Sequence, residues 1–215
     1  MGATIKNSLH KGLFYLIFFV SHISQSQFHN GLELGVNMTN PNFRLNESVE
    51  PSSGFGFSLG YVGERDFSDN LYIRLGVIYT RREFNAISRR GINTSEEKWG
   101  IDVIEVPINL GYYLNWNNRN FQFFVDGGIN LEYNSRAFIK NDEETILLDI
   151  GSDAEIKRIT FGANAGAGLL FKKRIKVRLN YYTSLSDIVY SDGGIWKNKT
   201  LGLSLNYFFK EKLDE

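Results

Sequence analysis

The chain has 215 residues, 42% hydrophobic and 14% aromatic, with 24 basic side chains against 24 acidic ones and no cysteine. So high a content of Phe and Tyr excludes a disordered tail, and zero net charge provides no long-range attraction to nucleic acid or anionic lipid. The absence of cysteine excludes disulfide frameworks, thiolate-bound metals, iron–sulfur clusters, thiol nucleophiles and a lipidated cysteine, which leaves carboxylates, hydroxyls and three histidines for site chemistry.

The first element is the apolar run Leu13 to Val20, eight residues where a membrane-spanning helix needs about 20. Lys6, His10 and Lys11 precede it and Ser24-Gln25-Ser26 follow it. Those are the basic, apolar and small-residue zones of a secretory signal, so residues 1–26 are expected to be a cleaved signal peptide and residues 27–215 the mature domain.

Beyond Gln27 the pattern has period two, the signature of strands whose successive side chains point to opposite faces. Leu32, Leu34, Val36 and Met38 oppose Glu33, Gly35, Asn37 and Thr39; Phe55, Phe57, Leu59 and Tyr61 oppose Gly56, Ser58, Gly60 and, further on, Glu64. Leu71 to Tyr79, Ile104 to Tyr112 and Phe121 to Leu131 repeat the alternation, as do Ile159 to Phe171, Ile175 to Leu185 and Leu201 to Phe209. Eight strands are expected and no helix of comparable length, so the fold class is all-β.

The connections alternate in length. Long ones are expected at 40–53, 85–100, 135–157 and 186–198, and short ones at 66–70, 115–120 and 172–174. An antiparallel up-and-down barrel with its long loops gathered at one end has this spacing, and transmembrane barrels of the bacterial outer membrane keep their short turns in the periplasm. Both termini then face the periplasm.

Which face is inside follows from room. Eight strands enclose an interior just wide enough for side chains, so the crowded inner face favours small residues. Gly35, Gly56, Gly60, Gly76, Gly111, Gly128, Gly162, Gly166, Gly168 and Gly202 all fall on the polar face. The lumen is therefore polar and packed, while the outer face is apolar over an area that only lipid or a very large partner can cover. Ten charged residues fall on the inner face: Glu33, Glu64, Arg74, Arg82, Glu105, Asp126, Glu132, Arg158, Lys176 and Arg178. Unpaired buried charge is costly, so they are expected to form an ion-pair network that plugs the barrel. Phe55, Tyr61, Tyr79, Tyr112, Phe121, Tyr133, Phe171, Tyr207 and Phe209 lie near segment ends and suit two aromatic girdles at the membrane interfaces. Pro107 cannot donate to a strand ladder, so a bulge or water-bridged gap is expected beside it.

No catalytic set can be assembled. His10 and His22 leave with the signal, and His29 stands alone at the start of the first strand, away from the long loops. Asp102 falls on the opposite face from Glu105 and cannot pair with it. Asp142, Glu143, Glu144, Asp149 and Asp153 fit no calcium-loop spacing, and Gly193-Gly194 reads as turn chemistry. No metal, cofactor or nucleic-acid partner is expected.

The segment Ile104-Glu105-Val106-Pro107-Ile108-Asn109-Leu110-Gly111-Tyr112-Tyr113 resembles the E-[IV]-P-hydrophobic core of the PorT-like outer-membrane β-barrel family of Gram-negative bacteria, and Leu201 to Phe209 resembles that family's last strand. The resemblance implies an eight-stranded barrel in the outer membrane and little activity of its own. The expected function is structural or interactive: a monomeric envelope anchor, or an accessory subunit that presents Phe138 to Leu148 and Ile188 to Trp196 to a larger envelope assembly. The alternatives are a small-solute channel and a soluble ligand-binding barrel.

Overall fold

The computed structural model describes residues 28–44, 49–90, 93–114, 120–141, 144–151, 155–190 and 194–209. The expected signal peptide lies outside the described residues, as do Asp142, Glu143, Asp153 and Gly193. The strands are β1 (His29–Arg44), β2 (Val49–Asp66), β3 (Leu71–Arg90), β4 (Asn93–Leu114), β5 (Phe121–Lys140), β6 (Thr145–Leu148), β7 (Ile159–Phe171), β8 (Ile175–Ser184) and β9 (Ile195–Phe208). All except β6 pair antiparallel with both neighbours, and β1 pairs with β9, so eight strands close into a barrel. The short β6 pairs only with the upper end of β5.

Closure follows from the alternation. Leu34 lies opposite Leu59 on one side and Leu205 on the other, and all three are outward-facing. Leu34 is 58% exposed, Val36 61% and Phe55 76%, while Glu33, Asn37 and Thr39 between them are buried. The apolar face is the outer one.

The strands run further than the expected connections allow. β1 continues to Arg44, β2 begins at Val49, β3 reaches Arg90 and β4 begins at Asn93, so the expected loops at 40–53 and 85–100 are mostly paired strand. Above the level of Met38 and Tyr79 the pattern reverses. Asn40, Asn42 and Arg44 are exposed while Pro41 and Phe43 face inward; Glu96 and Lys98 are exposed while Trp99 and Ile101 are buried. At this end the apolar side chains of the same sheet face inward and the polar ones outward, as burial of apolar surface favours wherever water surrounds a sheet.

Two bulges sit where this change occurs. Ser53 pairs with Phe84 and Phe57 with Arg81, so three residues of β2 face two of β3. Asp102 pairs with Arg136 and Val103 with Asn134, which leaves Ser135 of β5 as an extra residue. Each bulge shifts the inward parity of its strand by one. The strand does not bulge at Pro107, which pairs in register with Asn130. On its other side the ladder between β3 and β4 lapses from Leu75–Ile108 to Ile78–Glu105 without changing register, as a residue with no N–H requires.

At the end bearing the termini, β7 and β8 are joined by Lys172, Lys173 and Arg174, the two lysines having φ of 45° and 54°. The turn from Phe171 to Arg174 thus has positive φ at both central residues, and Arg174 N–H closes it onto the Phe171 carbonyl at 3.1 Å.

Candidate functional site

The inner face of one strand passes through every layer of the lumen. Reading β3 away from the termini, Tyr72, Arg74, Ile78, Thr80, Arg82, Phe84 and Ala86 all point inward and are buried. The other strands add partners at each level.

The lowest layer is an aromatic cage around a cation. Lys176 Nζ lies 4.1 Å from the ring centre of Tyr72 and 4.0 Å from that of Phe124, with Tyr113 at 5.2 Å. The ammonium is fully buried and donates to Glu64, whose other oxygen accepts from Tyr113 Oη at 2.8 Å. Gly111 makes this layer possible, because a Cβ there would run into the Tyr72 ring. Val62, Leu170 and Phe208 complete the apolar floor.

Above it lies a polar middle. Arg74 is paired with Glu33, and Arg178 Nη2 donates to Asp126 at 2.6 Å. Asn109 and Asn164 exchange amide hydrogen bonds of 2.7 and 2.9 Å, and Arg178 also reaches Asn164 at 2.9 Å. A polar cavity of about 50 Å³ adjoins this network, lined by Glu33, Asn37, Arg74, Arg82, Glu105 and Asn130 among others. It has room for on the order of four water molecules. At its upper edge Arg82 bridges Glu105 at 2.6 Å and Glu132 at 3.1 Å, with its guanidinium 3.9 Å from the Tyr182 ring centre.

The uppermost layer is apolar. Phe43, Phe84, Trp99 and Trp196 form a four-ring cluster: Phe43 to Trp99 is 5.0 Å, Phe84 to Trp196 is 5.6 Å, and Trp99 to Trp196 is 5.9 Å at 78°. Strand register assembles it, since Phe43 lies opposite Trp196 and Phe84 opposite Trp99. Both indole N–H groups are satisfied, by Asn198 and by Glu97, each at 3.0 Å. Ile156, Ile188 and Val189 fold in from the two longer connections and pack on the rings. Lys157 N–H to Ile188 O at 2.7 Å and Ile188 N–H to Trp196 O at 2.9 Å pin those connections across the mouth.

Nine of the ten expected lumen charges lie in these layers. Arg158 does not. It precedes β7 on the exposed side, where it donates to Tyr133 Oη at 3.1 Å and to the Ile150 carbonyl. Its even number matches the inward parity of β7, but the strand begins only at Ile159, so parity does not apply to it. Asp102 holds Arg81 on the outer wall at 2.6 Å, away from Glu105. His29 Nε2 lies 3.8 Å from Asp66 at the terminal end.

Of the aromatic residues assigned to girdles, all nine face outward, and Tyr79 and Phe171 are half-buried. The segments expected as contact loops are exposed only in part. Phe138 is buried on the outer wall over Gly100, beneath Arg81 and Arg136 at 5.6 and 5.3 Å, and Ile188 and Trp196 are inside the mouth. Ile188 and Trp196 thus pack on the ring cluster instead of presenting themselves to a partner. Ile146, Leu147 and Tyr190 remain exposed there. The four-ring cluster escaped sequence reading because its members stand singly among polar residues, yet Phe84, Ala86 and Ser88 keep the even, inward parity of β3, a signal that could have revealed it.

The profile of a family described as outer membrane protein beta-barrel domain matches residues 23–190. No curated protein matches the chain. Similar solved structures include neisserial surface protein A, at 12% identity over 84% of this chain and 97% of that one, with a TM-score of 0.48. The outer membrane protein OprG from Pseudomonas aeruginosa is 13% identical over 84% and 93%, with a TM-score of 0.46. Ail, the attachment invasion locus protein of Yersinia pestis, is 14% identical over 84% and 97%, with a TM-score of 0.40.

Proposed function

The chain belongs to the outer membrane protein β-barrel domain family, and on that premise we propose that it is a sealed barrel with a structural or interactive role, an envelope anchor or accessory subunit of a larger assembly. It resides in the outer membrane, in contact with membrane lipid. What supports a sealed barrel is the layering of its lumen: an aromatic floor around Lys176, ion pairs beside a polar cavity of about 50 Å³ in the middle, and a four-ring roof. An ion crossing this path would have to break buried charge pairs and displace packed rings. The barrel serves as a rigid support in the lipid, with the outward aromatic residues setting its depth and the surface around Ile146, Leu147 and Tyr190 meeting a partner.

Planar bilayers test the sealed lumen. The purified barrel is expected to give no discrete conductance steps, and steps of uniform size would establish the small-solute channel instead. Crosslinking in gently solubilised envelopes tests the accessory role, with a stoichiometric partner as the expected result.

A further inference from the structure

The buried charges of the lumen do not cancel. Among the described residues they comprise five acids, Glu33, Glu64, Glu105, Asp126 and Glu132, and four bases, Arg74, Arg82, Lys176 and Arg178. Among the described residues, Arg74 is paired with Glu33, Lys176 with Glu64 and Arg178 with Asp126. Arg82 is paired with both Glu105 and Glu132. The excess negative charge is therefore localised at Glu105 and Glu132.

These two carboxyls are directly opposite in the register of β4 and β5, on the inner face, where cross-strand side chains are closest and like charges repel. Glu105 is 7% exposed and Glu132 1%. The charged or titratable groups that face them are Arg82 from β3 and Tyr182 from β8. Thr80, Asn130 and Thr160 contribute neutral contacts, with Asn130 donating to Glu105 at 2.7 Å and Thr160 to Glu132 at 3.1 Å. Glu132 Oε1 has the Arg82 ion pair but accepts no hydrogen bond, although it is buried. One guanidinium carries a single positive charge against two buried carboxylates, and the polar cavity reaches Glu105 but not Glu132.

We propose that Glu105 and Glu132 form a proton-binding site, a carboxyl–carboxylate pair that holds one proton between them at neutral pH beside Arg82. The bound proton brings the buried charge to zero. Its consequence is a barrel whose stability depends on pH in the alkaline direction. The folded pair binds one more proton than the unfolded chain, in which glutamates ionise near about 4.3, so the folding equilibrium constant falls about tenfold per pH unit above that value until the pair itself ionises.

Difference infrared spectroscopy of the barrel folded into phospholipid vesicles tests this. At neutral pH the wild type is expected to show the carbonyl stretch of one protonated carboxylic acid. The band should vanish in Glu105→Gln and in Glu132→Gln, with heat-modifiable mobility showing that each variant has folded. Urea unfolding of the wild type from mildly acidic to mildly alkaline pH should show the tenfold slope, and Glu132→Gln should lose that component while retaining every other titrating group. A wild-type spectrum without the band, a band that survives in both variants, or identical pH dependence in wild type and Glu132→Gln would each overturn the proposal.

Discussion

The barrel wall at the level of Leu34 and the wall at the level of Asn42 belong to the same strand and obey opposite rules. At the first, the outward side chain is apolar and its inward neighbour Glu33 is bound to Arg74; at the second, the outward side chain is polar and its inward neighbour Phe43 sits among aromatic rings. The backbone ladder to β9 runs unbroken through both. The difference shows that a strand's facing is set by what lies outside it. Hydrocarbon selects an apolar exterior and pushes polar groups into a lumen where they must satisfy one another, whereas water selects the reverse.

Substitutions inside the barrel should give the largest effects, and of different kinds in the two regions. Glu64→Leu strands the buried Lys176 ammonium in its aromatic cage and is expected to cost about 3–5 kcal/mol of folding free energy in vesicle-based urea titrations; adding Lys176→Met should recover most of it, because removing both charges avoids the penalty. In the upper region Trp196→Ala empties the centre of the four-ring cluster and is expected to cost about 3–5 kcal/mol with no charged rescue available. If a charge-neutralising second mutation rescued Trp196→Ala as well, the two regions would not differ in the way proposed.

Outward substitutions separate the regions more sharply. Val36→Arg places a charge on the lipid face and should destabilise by about 2–4 kcal/mol, while Asn42→Arg on the same face of the same strand should stay within about 0.5 kcal/mol. Equal costs would erase the comparison. A smaller effect than those at the core or the lipid face belongs to neither region: replacing Lys172-Lys173 with Asn-Gly relieves two left-handed residues and should stabilise by about 1 kcal/mol wherever the belt boundary lies.

The belt-level half of this structure was legible in the sequence, because an uninterrupted alternation such as Leu201 to Phe209 carries both the strand and its facing. The glycine bias identified the inner face for a physical reason that Gly162 illustrates: a Cβ there would strike the Tyr182 ring. The upper half was not legible. Its alternation inverts at the belt edge, and the bulges at Ser53–Phe57 and Ser135 shift the phase at that same place, so two continuous strands look like strands that end. Arg158 shows the limit of parity, which assigns a face only to a residue that lies within a strand. Which acid meets which base depends on stagger between strands distant in sequence, as in Glu64 with Lys176, and no local pattern contains it.

The chain has no cysteine, so single-cysteine labelling on intact cells is free of background from the protein itself and tests the inversion most directly. Cysteines placed along β1 at Leu34, Val36, Asn40, Asn42 and Phe43 would be exposed to a membrane-impermeant maleimide. The account predicts labelling at Asn40 and Asn42, protection by lipid at Leu34 and Val36, and protection by packing at Phe43. Labelling of Leu34 and Val36 as readily as Asn42 would contradict it, since the apolar face would then be lying in water.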